Sequence, residues 1–186
     1  MTTLDAMPGV LAAAVVEAAL ELVGAQENGP PSRLRADDAL LASARVKAAI
    51  AEVPGAPDAE GWKQVITRLA VFLARGVVKR WSNAYPDRLE PLRAVEAAEA
   101  WAACPCAHHA EAAAETAPGA ARQAMAAWRS SPKEAAWAGR TAAWAADAPK
   151  YGWQTIAAIV GACRATGSKE VIAMAERFFS AELRSR

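Results

Sequence analysis

The chain has 186 residues, 54% of them apolar, and its 21 Lys and Arg nearly cancel 20 Asp and Glu to leave a formal charge of +1. That length supports one substantial core, or a core with a helical extension. The charge balance excludes a general polyanion binder, which needs a basic excess on one face, and the longest uncharged run, Tyr151 to Cys163, is too short to span a bilayer.

Alanine supplies roughly a quarter of the sequence, which favours helix at no side-chain entropy cost and lets helices approach closely. Seven tryptophans are available to fill the gaps that alanine leaves. Asp5, Glu17, Glu21 and Glu27 precede the first basic residue, Arg33, which fits neither a secretory signal nor a transit peptide. Three cysteines form no even-numbered disulfide framework and suit a reducing compartment. The expected location is the cytoplasm, with no membrane insertion.

No stretch alternates apolar and polar residues long enough for a strand, whereas steps of three and four recur throughout. The expectation is an all-α protein of about eight helices, arranged as a bundle or a short helical solenoid. A first helix spans 10–24 and stops at Asn28-Gly29-Pro30-Pro31-Ser32, where Ser32 can cap a second over 33–53. Pro54-Gly55-Ala56-Pro57-Asp58 ends that helix, and Asp58 can cap a third over 59–83. Residues 1–53 therefore read as a helical hairpin extension docked on a main α-helical domain of 59–186. The third helix places Trp62, Val65, Ile66, Leu69, Leu73, Val77 and Trp81 on one face.

Along and after that helix, Arg75, Lys79, Arg80, Trp81, Tyr85, Arg88 and Arg93 form a basic, aromatic stretch. Asp87, Glu90 and Glu96 interleave with it, which argues against nucleic acid. Trp, Tyr and Arg together suit a protein interface, where these residues dominate binding energy. The third helix is followed by one over 90–103, which Asp87 can cap with Glu90 closing the box. Glu96 and Glu99, three apart beside Arg93, read as a solvated face with local ion pairs.

The run from Tyr85 to Trp101 (Tyr-Pro-Asp-Arg-Leu-Glu-Pro-Leu-Arg-Ala-Val-Glu-Ala-Ala-Glu-Ala-Trp) also resembles the Imm-5-like family of small, alanine-rich bacterial immunity proteins. Pro86, Asp87, Pro91, Ala94, Val95, Glu96, Ala97, Ala98 and Trp101 match its pattern in register, and the preceding helix from Ala74 to Trp81 is similar. The likeness covers about residues 70–145. Members carry Arg on both sides of the second Pro; here Glu90 and Leu92 stand there, with Arg at 93. The resemblance implies a non-catalytic protein that binds and neutralises a partner toxin through a rigid helical surface.

Further helices are expected over 106–117, 119–130, 133–147 and 151–185, the last broken near Gly167 with Ser168 as cap. Ala94, Ala97, Ala100, Trp101 and Pro105 recur in spacing at Ala121, Ala124, Ala127, Trp128 and Pro132, the pattern of a duplicated helical hairpin. Trp137 and Trp144, seven apart, share a face that reads as core.

Cys104-Pro105-Cys106-Ala107-His108-His109 gathers two thiols and both imidazoles, the usual ligands of zinc and softer metals. If Pro105 opens a helix, Cys104, His108, Glu111 and Glu115 form one stripe, and Cys106 with His109 a neighbouring one. A regular helix then cannot bring Cys104, Cys106, His108 and His109 to one ion; an unwound first turn or outside ligands would be needed. A metal- or redox-responsive protein is thus the second reading, and a structural adaptor the third. Cys163 sits on an apolar face as a small core residue. No Gly-x-Ser-x-Gly elbow, phosphate loop or separated Cys–His pair points to an enzyme, and no resident cofactor is expected.

Overall fold

The computed structural model describes residues 6–24, 40–41, 43–128 and 133–185. Among them are eight α-helices: α1 Met7–Gly24, α2 Ala44–Ala51, α3 Ala59–Ala84, α4 Glu90–Ala103, α5 Ala107–Ala127, α6 Lys133–Asp147, α7 Trp153–Thr166 and α8 Ser168–Arg184. The fold is all-α. The first helix packs on the last, so the helices close into a bundle rather than an open solenoid. The break at 28–32, the segment 33–39 and Pro132 lie outside the described residues. No helix among the described residues is long and apolar enough to cross a membrane.

α3 is the centre. Asp58 caps it by accepting from the Gly61 N–H at 2.8 Å, as its position after the Pro-Gly-Ala-Pro break predicts. The predicted stripe from Trp62 to Trp81 is buried, and Ala70, Val71, Ala74 and Val78 widen it. α4, α6, α7 and α8 pack around it. Each large aliphatic or aromatic side chain so enclosed contributes about 1.5–3 kcal/mol.

α6 is the complement of α3. Its buried positions are Ala135, Ala136, Ala138, Gly139, Thr141, Ala142, Ala143, Ala145 and Ala146. One helix brings bulk and the other brings room. A Cβ on Gly139 would lie 2.6 Å from Cε3 of Trp81, so only glycine lets that ring seat against the α6 backbone. α4 and α5 meet α6 across a seam made largely of alanine, including Ala94, Ala98, Ala113, Ala117 and Ala120.

α1 is apolar on most of its circumference and is correspondingly enclosed, with Leu11, Val15, Val16 and Ala19 in the same buried cluster as Leu69 and Phe179. Arg45 of α2 pairs with both Glu17 and Glu21, one turn apart on α1.

Four expectations need correction. The helix predicted over 33–53 is interrupted within its described part: Ser43 has ψ 128°, outside the helical region, and α2 starts after it. The helices predicted over 106–117 and 119–130 are one helix, with Pro118 inside it. Pro118 is exposed, and the inner stripe Ala113, Ala117, Ala120, Ala124 and Ala127 runs unbroken past it. The missing hydrogen bond and the clash of the ring with the preceding turn together cost about 3 kcal/mol, against which that continuous packing works. Asp87 does not cap α4; Leu89 holds that position without a side-chain bond, and Pro91 enters the first turn. Gly167, not Ser168, precedes α8, with φ 98°, which turns the chain sharply after α7.

The two blocks of the apparent repeat are not placed alike. Trp101 is buried inside α4, whereas Trp128 follows the end of α5 and is 42% exposed.

Candidate functional site

The basic stretch is dispersed by the fold. Arg75 forms a two-bond pair with Glu99, Nε to Oε1 at 2.7 Å and Nη2 to Oε2 at 2.5 Å. That hydrogen bonding holds its guanidinium above the usual arginine range. Arg80 lies 3.6 Å from Glu170. Trp81 is wholly buried, and its Nε1 donates to the Arg88 carbonyl at 2.7 Å, so it offers no surface to a partner. Tyr85 packs on Trp81, ring centroids 4.6 Å apart, and the Arg88 guanidinium lies over the Tyr85 ring at 5.0 Å. Lys79, Arg88 and Arg93 are the exposed remainder.

The Cys-His segment folds differently from the expected stripe. α4 ends at Ala103 and α5 begins only at Ala107, so Pro105 lies in a link rather than in the first helical turn. Cys104 caps the end of α4, its N–H donating to the Ala100 and Trp101 carbonyls. Cys106, with φ −141° and ψ 161°, caps the start of α5. The link therefore supplies the unwinding that a regular helix lacks. Cys104, Cys106 and His109 come together, each with one ligand atom within 4.8 Å of the others. His108 is not among them; its ring stands beside that of His109 with centroids 5.6 Å apart. Cys163 is buried, which pushes its thiol up to about 11.

The cleft that stands out on the surface involves residues of another region. Met125 and Trp128 at the end of α5, Trp137, Arg140 and Trp144 along α6, and Arg164 in the last turn of α7 surround about 420 Å³, over Ala124 and Ala136. Trp128 meets Trp137 edge-on at 5.2 Å, and Trp137 lies 6.2 Å from Trp144. Arg164 stacks 4.5 Å over Trp137, and Arg140 stacks 5.0 Å over Trp144. Among the described residues, neither guanidinium has a carboxylate within 4.0 Å. Met125 is 60% exposed.

Spacing alone assigned Trp137 and Trp144 to the core, and their faces are indeed half covered. The overlooked signal is Arg140, which lies between them on the same stripe and marks it as reaching water. A second hollow, between α1 and α2, is lined by alanines together with Glu17, Glu52 and Arg45, whose charge Glu17 and Glu21 already meet. Compared with known families, characterised proteins and solved structures, the chain matches none.

Proposed function

We propose that this chain is a non-catalytic helical binding protein, which holds a segment of a partner protein in the cleft between α5, α6 and α7. The observation that carries the reading is the pairing of three tryptophans with two arginines that lack acidic neighbours among the described residues. Trp and Arg dominate protein-binding hot spots, and exposed Met adapts to apolar partners. The volume fits one or two side chains. An aromatic or aliphatic side chain beside an Asp or Glu would meet both the ring edges and the guanidinium donors. Nucleic acid fits less well, since a strand needs cations spaced along its phosphates.

The resemblance of residues 85–101 to immunity proteins supports a toxin as the partner, with neutralisation by occlusion in the cytoplasm. Arg88 and Arg93, exposed on the ridge before and within α4, form a second candidate contact.

The test is selection of a displayed random-peptide library on the full chain. The expected consensus places Asp or Glu within two positions of a Phe, Trp or Leu. Binding of the selected peptides should fall at least about tenfold in Arg140→Gln/Arg164→Gln, as for hot-spot residues, and stay unchanged in Arg88→Gln/Arg93→Gln. A consensus without a carboxylate, or peptides that bind the first double variant equally well, overturns the reading of the cleft.

A further inference from the structure

We propose that Cys104, Cys106 and His109 form a binding site for one thiophilic divalent cation, with zinc the natural occupant. The site is independent of the aromatic cleft and uses none of its residues.

The argument starts from the link. Three residues join two packed helices, and each end is fixed. Cys104 N–H is bonded into the last turn of α4 at 3.1 and 3.0 Å, and the Cys106 carbonyl accepts the Ala110 N–H of α5 at 3.0 Å. Pro105 between them has a ring-locked φ. The two thiols are therefore presented by a stiff segment. His109, in the first turn of α5, completes the set, with Nδ1 3.3 Å from the Cys106 Sγ.

Zinc bonds of about 2.3 Å to sulfur and about 2.0–2.1 Å to nitrogen, at tetrahedral angles, separate a sulfur from a nitrogen by about 3.6 Å and two sulfurs by about 3.8 Å. The observed spacings, 3.3 Å for one pair and no more than 4.8 Å for any, lie around those values. An ion would need adjustments of about 1 Å or less, not a rearrangement.

A purely structural role accounts for only part of this geometry. Helix capping explains Cys106 and a local bond to His109. It gives no reason for the Cys104 thiol, which is exposed and makes no hydrogen bond among the described residues, to stand in the same group. His109 Nδ1 also lies 3.1 Å from the Cys104 carbonyl, a bond in which Nδ1 is the donor and whose proton it must give up to bind the ion. Two thiolates neutralise a divalent charge. Three protein ligands leave one position for water or a donor from another molecule.

The test is titration of the reduced full chain with cobalt(II), followed by displacement with zinc. The expected result is one equivalent bound, with thiolate-to-cobalt charge transfer and the strong visible bands of four-coordinate cobalt. Cys106→Ser, which places a good capping hydroxyl at that position, and His109→Ala should each weaken binding by at least about a hundredfold, since outer-shell changes alone cost 10- to 100-fold. Cys163→Ser and His108→Ala should leave it unchanged. In the unaltered chain, zinc should protect Cys104 and Cys106 from alkylation, while Cys163 stays unlabelled with or without metal. Absence of one-equivalent binding, retention of binding in Cys106→Ser, or equal loss in His108→Ala overturns the assignment.

Discussion

α6 carries two tryptophan environments on different sides. On one, Gly139 receives Trp81, whose ring is wholly enclosed and whose Nε1 has the Arg88 carbonyl as acceptor. On the other, Trp137 and Trp144 are half covered and their faces carry arginines, although Trp144 also meets Gly161 of α7, where a Cβ would lie 2.9 Å from its ring. The same residue type thus serves the fold in one place and the surface in the other. A glycine across the interface is common to both, Gly139 for Trp81 and Gly161 for Trp144; what separates them is the arginine laid over the outer rings, which keeps Trp137 and Trp144 at the water boundary.

Trp81→Ala should show the largest effect, about 3–5 kcal/mol of stability lost in urea unfolding, because it opens a cavity and orphans the Arg88 carbonyl. A loss below about 1 kcal/mol would erase the distinction between the two environments. Gly139→Ala comes next. The added methyl meets Trp81 at 2.6 Å, an overpacking cost of about 1–3 kcal/mol, against a helix-propensity gain of about 1 kcal/mol. Net destabilisation is expected; a rise in melting temperature would mean that the indole has room to slide.

Trp128→Ala should cost only about 1 kcal/mol or less, the worth of its edge contact with Trp137. The same change should reduce binding of the cleft-selected peptides at least about tenfold. Equal losses in stability for Trp128→Ala and Trp81→Ala would place both in the core.

The smallest effect concerns Asp147, the last residue of α6, whose carboxyl is held above the usual carboxylate range by burial, with Lys150 opposing. Its raised pKa in the fold means that the penalty for its charge is full at neutral pH. The penalty fades as pH falls through the folded value and is gone below the unfolded one. It also faces the negative end of its helix. Asp147→Asn should therefore raise stability by a few tenths of a kcal/mol at pH 7, in line with a partly exposed helix-end charge. The gain should vanish in acid, and a gain that persists there would point to packing instead.

The helices were legible where side-chain size alternates sharply. α4 and α6 match the expected 90–103 and 133–147, and α3 runs one residue beyond its expected end. Proline and the capping residues misled, because their local preferences lose to packing. Pro118 reads as a stop, yet the alanine stripe beneath it continues. Asp87 and Glu90 read as a capping box, yet Leu89, not Asp87, stands at the N-cap of the helix that starts at Glu90. The Cys-His segment was legible as a set of donors. Its geometry was not, because whether Pro105 opens α5 or lies ahead of it decides which three donors meet. The aromatic cleft was illegible for a further reason. Periodicity shows that Trp137 and Trp144 share a face, and only the third dimension shows what covers it.

The alanine stripe of α5 has a consequence for how this chain can change. Alanine codons mutate by single bases to Gly, Ser, Thr, Val, Pro, Asp or Glu. On the inner face at Ala113, Ala117 and Ala120, all but the first two bring a branched, charged or ring-closed side chain into a close-packed alanine seam. Glycine there gives up about 1 kcal/mol of helix propensity. Serine, one oxygen larger and able to bond back to its own helix, is the mildest exit. Neutral drift on that face is thereby confined almost to a single letter.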